Sequence, residues 1–97
     1  MARVPRKAAT TLQLRLYVAG HAPNSLHAIA SLTALCEAHF PLAHDLEVVD
    51  MLDHPDRALA DGVIVTPTLV KLRPLPVQRI VGGLGDTARV LQTLGGK

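Results

Sequence analysis

One stretch decides the fold of this 97-residue chain: Val63-Ile64-Val65-Thr66-Pro67-Thr68-Leu69-Val70. Its β-branched residues favour an extended conformation. A proline is excluded from the middle of a paired strand because it has no backbone N–H to donate. The sequence therefore predicts a strand that Pro67 opens rather than interrupts.

The residues before this stretch predict two strands and two helices. Apolar and polar residues alternate with period two over 12–18, which indicates the first strand. A helix follows that Asn24 can cap, and its apolar stripe consists of Leu26, Ile29, Leu32, Cys36 and Phe40. A second strand covers 46–52, and a short helix then begins at Pro55 and stops at Gly62.

The residues after the stretch predict a hairpin and a last helix. Pro74 and Pro76 bracket a tight turn, so the strand over 77–81 runs antiparallel to the one before it and forms an edge. Asp86 caps the last helix, whose apolar face holds Val90, Leu91 and Leu94. The order is βαβαββα, a single α/β domain over 11–97 preceded by a disordered basic arm over 1–10. Helices join strands one, two and three, so we expect these three to run parallel.

Composition and charge distribution indicate the cellular location of the protein and the kind of partner that it binds. No apolar run approaches the roughly 20 residues that span a bilayer, and no signal peptide is evident, so we expect a cytoplasmic protein with no membrane contact. Six of the eight acidic residues lie between Asp45 and Asp61, whereas bases dominate after Gly62. Such a charge separation orients a charged partner.

Several kinds of chemistry are excluded or disfavoured. A single cysteine, Cys36, rules out an internal disulfide and a Cys-based zinc site, and its place on an apolar stripe predicts burial. The five histidines show no ligand spacing, and the glycines of 82–85 lack the P-loop pattern. Basic residues occur without an aromatic stacking platform, which argues against nucleic-acid binding. We expect no metal, no cofactor and no catalytic residue.

The stretch Val65-Thr66-Pro67-Thr68-Leu69 resembles the proline loop of thioredoxin-like proteins, which implies a cis Thr66–Pro67 bond. A thioredoxin carries Cys-x-x-Cys between its first strand and first helix. Here that place holds the residues from Gly20 through Pro23 to Ser25, with no thiolate to attack a disulfide. Ser25 is expected to cap the helix.

The folded region also resembles the KaiB family. The stretches that carry the resemblance are Leu14–Gly20, Pro23–Ser25, Val48–Asp50, Thr66–Lys71 and the turn from Pro74 into Val77–Gly82. The resemblance implies a non-enzymatic adaptor that binds the ATPase KaiC, with a KaiA-like protein or a histidine kinase as further partners and a homo-oligomer as an additional expectation. It also implies a metamorphic chain with an alternative βαββααβ resting order.

The resemblance implies a set of partner-binding residues. Lys71 and Arg79 match basic positions of the family's binding surface and are expected to pair with acidic partner residues, with Arg73 and Arg89 as further candidates. The edge strand that holds Leu46, Val48 and Asp50 is expected to extend a partner's sheet. The family usually carries a lysine where Gly62 stands.

Two alternatives of other classes stay open. One is a free-standing sensor module similar to that of the histidine kinase SasA. The other is a thioredoxin-like redox enzyme, against which the absence of a cysteine near Pro23 argues.

Overall fold

The computed structural model describes residues 12–82 and 86–94. Its elements are β1 (Leu12–Val18), α1 (Pro23–His39), β2 (His44–Asp50), α2 (Pro55–Ala60), β3 (Thr68–Arg73), β4 (Gln78–Val81) and α3 (Thr87–Thr93). The thioredoxin-like order is confirmed, and the alternative βαββααβ order is not the one adopted. The predicted arm over 1–10 and most of the glycine-rich segment over 82–85 lie outside the described residues.

The four strands form one sheet in the order β2-β1-β3-β4. β1 pairs with β2 in parallel, β1 with β3 antiparallel, and β3 with β4 antiparallel. The prediction that β3 runs parallel to β1 is therefore wrong. Because α2 has six residues, it rises only about 9 Å, and residues 61–67 return the chain to the end where β1 finishes. Thr68 consequently lies opposite Tyr17.

The core is divided between the two faces of the sheet. A larger cluster, here the first cluster, includes Leu14, Leu16 and Leu69 on the sheet, with residues of α1 and α3 such as Leu32 and Val90 packed over them. The second cluster lies under α2 and consists of Tyr17, Val49, Ala58, Val63 and Val70. Of the residues in α2, only Ala58 is buried, so apolar packing holds this helix weakly.

The start of α1 differs from the prediction. Ala22 is the N-cap residue and makes no side-chain cap, so Asn24 does not cap the helix. Pro23 occupies the first turn, where its missing N–H costs nothing. The Ser25 hydroxyl does not cap either; it is buried and accepts the Ala19 N–H at 3.1 Å. Leu26 is 51% exposed and is not part of the apolar stripe.

The segment around the prolines agrees with the sequence. The Thr66–Pro67 bond is cis, and β3 begins immediately after Pro67. Pro74 and Pro76 lie between β3 and β4, both of them after cis bonds. The carboxylate of Asp86 caps α3 by accepting the Arg89 N–H at 3.2 Å, as predicted.

Candidate docking surface

A row of cross-strand neighbours crosses the sheet beneath α2. Glu47 on β2 is in register with Arg15 on β1, Arg15 with Val70 on β3, and Val70 with Arg79 on β4. Side chains that share a row lie on the same face of a sheet. Arg15 donates from Nε to Glu47 Oε1 at 3.0 Å, so the first two side chains of the row, on β2 and β1, are joined directly.

Asp61, which ends α2, lies over this row and contacts both of its arginines. Its Oδ2 accepts Arg15 Nη1 at 2.8 Å and the Tyr17 hydroxyl at 2.5 Å. Its backbone carbonyl accepts Arg79 Nε at 2.9 Å. One residue thus connects the end of α2 to β1 through its side chain and to β4 through its main chain.

The charges of this network favour their ionised forms. Burial opposes ionisation of Asp61, but the hydrogen bonds from Tyr17 and Arg15 outweigh burial and lower its pKa. The pKa of Arg15 is raised, chiefly by its hydrogen bond to Asp61. The pKa of Tyr17 is raised by burial and by the Asp61 carboxylate. At neutral pH the phenol therefore donates and the carboxylate accepts.

The turn after α2 explains why glycine stands at position 62. The Val63 N–H donates to Ala58 O at 2.8 Å and the Gly62 N–H to Leu59 O at 3.0 Å, the two bonds of a Schellman motif. Gly62 has φ +73°, which side chains disfavour. A Cβ there would lie 3.5 Å from Arg79 Nη2, so the guanidinium lies against the bare helix end.

Exposed apolar side chains lie within three residues of Gly62, the glycine that Arg79 lies against. Leu59 is 80% exposed and Ile64 86%, and half of Val65 is exposed. Together with Arg79 these three residues are called the docking surface below. None of the three apolar residues was predicted as part of a site. For Leu59 the available signal was the brevity of α2, because a helix of six residues can turn few side chains toward the sheet. Ile64 and Val65 lie between α2 and β3, where apolar character alone does not indicate exposure.

The predicted basic residues are not brought together. Arg79 is exposed on the α2 side, but Lys71 pairs with Gln78, whose side chain alternates to the other face. Lys71 is only 5% exposed and makes no hydrogen bond or ion pair with the described residues. Arg73 is exposed at the end of β3. Of the predicted cations, Arg79 is the one that the α2 side presents.

The predicted edge strand is confirmed as an edge of the sheet that the described residues form, in which β2 pairs with β1 alone. Leu46 packs against the first cluster, and Val48 is 43% exposed. Asp50 has an internal role, since its Oδ1 accepts the N–H groups of Gly20 at 3.0 Å and Leu52 at 2.9 Å. These two bonds lower its pKa and join the loops that follow β1 and β2.

The place where a thioredoxin carries its reactive thiol holds none. Cys36 is fully buried in α1, and burial, aided by the Glu37 charge, raises its pKa to about 11. Within residues 12–82 and 86–94, no three His, Cys, Asp or Glu side chains converge as metal ligands. None of the described helices combines the length and apolar character that crossing a membrane requires.

Known proteins resemble this chain in sequence and in fold. Residues 15–95 match the KaiB domain. The circadian clock oscillator protein KaiB of Synechococcus elongatus is 46% identical over 87 residues, covering 90% of this chain and 82% of the relative. KaiB of Prochlorococcus marinus is 47% identical, covering 90% and 71%.

Two solved structures share the architecture. The N-terminal domain of Synechococcus elongatus SasA superposes with a TM-score of 0.74 at 26% identity, over 97% of this chain and 89% of that one. The Drosophila melanogaster thioredoxin Deadhead gives 0.73 at 15% identity, over 90% and 84%. The latter likeness concerns the fold alone.

Proposed function

The chain belongs to the KaiB family, and from this we propose that it is a non-enzymatic adaptor that docks on a KaiC-type ATPase and modulates its phosphorylation or ATPase cycle. The observation that carries the proposal is the docking surface. It combines an exposed arginine with exposed Leu59, Ile64 and Val65, on a thioredoxin-like sheet whose only thiol is buried.

The composition of the docking surface suits a protein partner. Leu59 and Ile64 are 80% and 86% exposed, so their burial against a partner would contribute favourable free energy to binding. An arginine beside them supplies charge complementarity to an acidic residue, which directs the orientation of docking. The side of β2 that pairs with no strand of the described residues adds a second contact, because its backbone groups can extend a partner's sheet.

The test measures binding of the full chain to a purified KaiC-type ring ATPase by calorimetry. Ile64→Ser should weaken binding by roughly ten- to hundredfold, the equivalent of about 1–3 kcal/mol of lost apolar burial. Arg79→Glu should weaken it at least about tenfold by reversing a charge pair. The matched control is Leu42→Ser, which removes a fully exposed leucine from the loop between α1 and β2. Unchanged affinity in both variants would refute the proposed surface.

The likeness to the SasA domain supports a second candidate, a free-standing sensor module of a histidine-kinase pathway. Capture from the native lysate separates the two. Recovery of a ring ATPase favours the adaptor, and recovery of a histidine kinase or response regulator favours the sensor module. A thioredoxin-like redox enzyme is the least supported, and insulin reduction by the isolated chain would revive it.

A further inference from the structure

We infer that Asp61 is a positioning residue for Arg79: its carboxylate fixes the end of α2, so that its own backbone carbonyl holds the Arg79 guanidinium in one orientation for a carboxylate of the partner. The inference rests on the proposed function, since it assumes that Arg79 is the cation that docks.

Arg79 is held by a backbone carbonyl at the end of α2. It lies on an edge strand, and its side chain is exposed. The bond from Nε to Asp61 O, at 2.9 Å, is its one side-chain hydrogen bond with the described residues. A long exposed side chain without such a bond samples many rotamers, and restricting them on binding costs conformational entropy. A fixed acceptor restricts the rotamers before binding, so this entropy cost is smaller.

The hydrogen bond to Asp61 O engages one of the three guanidinium nitrogens of Arg79. With Nε engaged, the two terminal nitrogens of the guanidinium make no hydrogen bond with the described part of the chain. Two parallel N–H groups match the two oxygens of a carboxylate. The arrangement therefore selects an Asp or Glu side chain that approaches end-on, whereas a lysine at position 79 could offer only a point charge.

The position of the Asp61 carbonyl depends on the side chain of the same residue. α2 buries only Ala58, so packing alone fixes its end poorly. The Asp61 carboxylate adds two charge-assisted bonds to β1, from Arg15 and Tyr17, and both donors belong to the central part of the sheet. Loss of the carboxylate leaves the acceptor of Arg79 on a weakly attached segment.

The experiment follows the Arg79 Nε–H by NMR in the full chain. Asp61→Ala should accelerate its hydrogen exchange by about tenfold or more, the equivalent of one hydrogen bond, and Asp61→Asn by less. Asp53→Asn is the matched control, because Asp53 is exposed and its side chain makes no hydrogen bond or ion pair with the described residues. If Asp61→Ala does not fold, Asp61→Asn decides. Unchanged exchange in the folded variants overturns the inference.

A double-mutant cycle on affinity for the KaiC-type ATPase excludes a merely structural role. Asp61→Asn should weaken binding several-fold in the wild-type background and leave it unaltered in an Arg79→Ala background. Equal losses in both backgrounds would overturn the positioning role. If the wild-type chain binds no ring ATPase, the proposed function fails, and the exchange measurement still decides whether Asp61 holds Arg79.

Discussion

Replacing Tyr17 with phenylalanine tests the network beneath α2 with minimal disturbance. The ring is completely buried in the second cluster, and phenylalanine keeps that packing. Only the hydroxyl is lost, whose single proton is shared between two acceptors, the Asp61 carboxylate at 2.5 Å and Arg57 O at 3.0 Å. A hydrogen bond to a charged group contributes about 1.5–3 kcal/mol. Since Arg15 still pairs with Asp61, we expect a loss of about 2 kcal/mol in the free energy of unfolding.

The loss should depend on pH in a defined direction. The pKa of Asp61 is lower in the folded protein than in the unfolded chain. Its carboxylate therefore contributes stability that is complete above the unfolded pKa, about 3.9, and is lost as the pH falls through the folded pKa. Urea unfolding followed by far-UV circular dichroism should show the full effect of Tyr17→Phe near neutral pH and a smaller one below about pH 3. A loss under about 0.5 kcal/mol at neutral pH would refute the view that this network attaches α2.

Two further predictions concern buried groups. Cys36 should react with a disulfide reagent only as fast as the protein opens, because it is buried and its pKa is raised to about 11; rapid labelling in native buffer would contradict this. Lys71→Met should raise the free energy of unfolding by about 1–3 kcal/mol, because it removes the charge of a buried lysine that has no polar partner among the described residues. The control Arg73→Met, at an exposed site on the same strand, should change the free energy of unfolding little. A Lys71→Met variant less stable than the wild type would show that the ammonium group makes favourable interactions in the folded protein.

The element order could be predicted from the sequence because its signals are local. Alternation over 12–18, the proline at 67 and the capping residue Asp86 each act within a few neighbours. The direction of β3 is not local. It depends on how far the six residues of α2 reach, and a crossover rule that assumes a full-length helix fails here.

The candidate site shows the same limit. The family resemblance assigned both Arg79 and Lys71 to one surface, whereas the register places Lys71 on the opposite face of the sheet. Only the pairing of β3 with β4 decides which residues share a face, and a shift by one residue would exchange them. Leu59 and Ile64 were missed for a related reason, since apolar character alone does not distinguish a core residue from an exposed one.

The contacts that attach α2 to the sheet differ in kind from those that hold the rest of the fold together. The first cluster is a continuous apolar core of sheet, α1 and α3, whereas α2 depends on one buried alanine and on bonds to Tyr17, Arg15 and Glu47. Polar contacts of this kind contribute on the order of 1–3 kcal/mol each and are lost when geometry or ionisation changes. The helix end that holds Arg79 therefore opens at a lower free energy than the core. A substitution in the network should therefore weaken docking while most of the sheet and α1 remain folded.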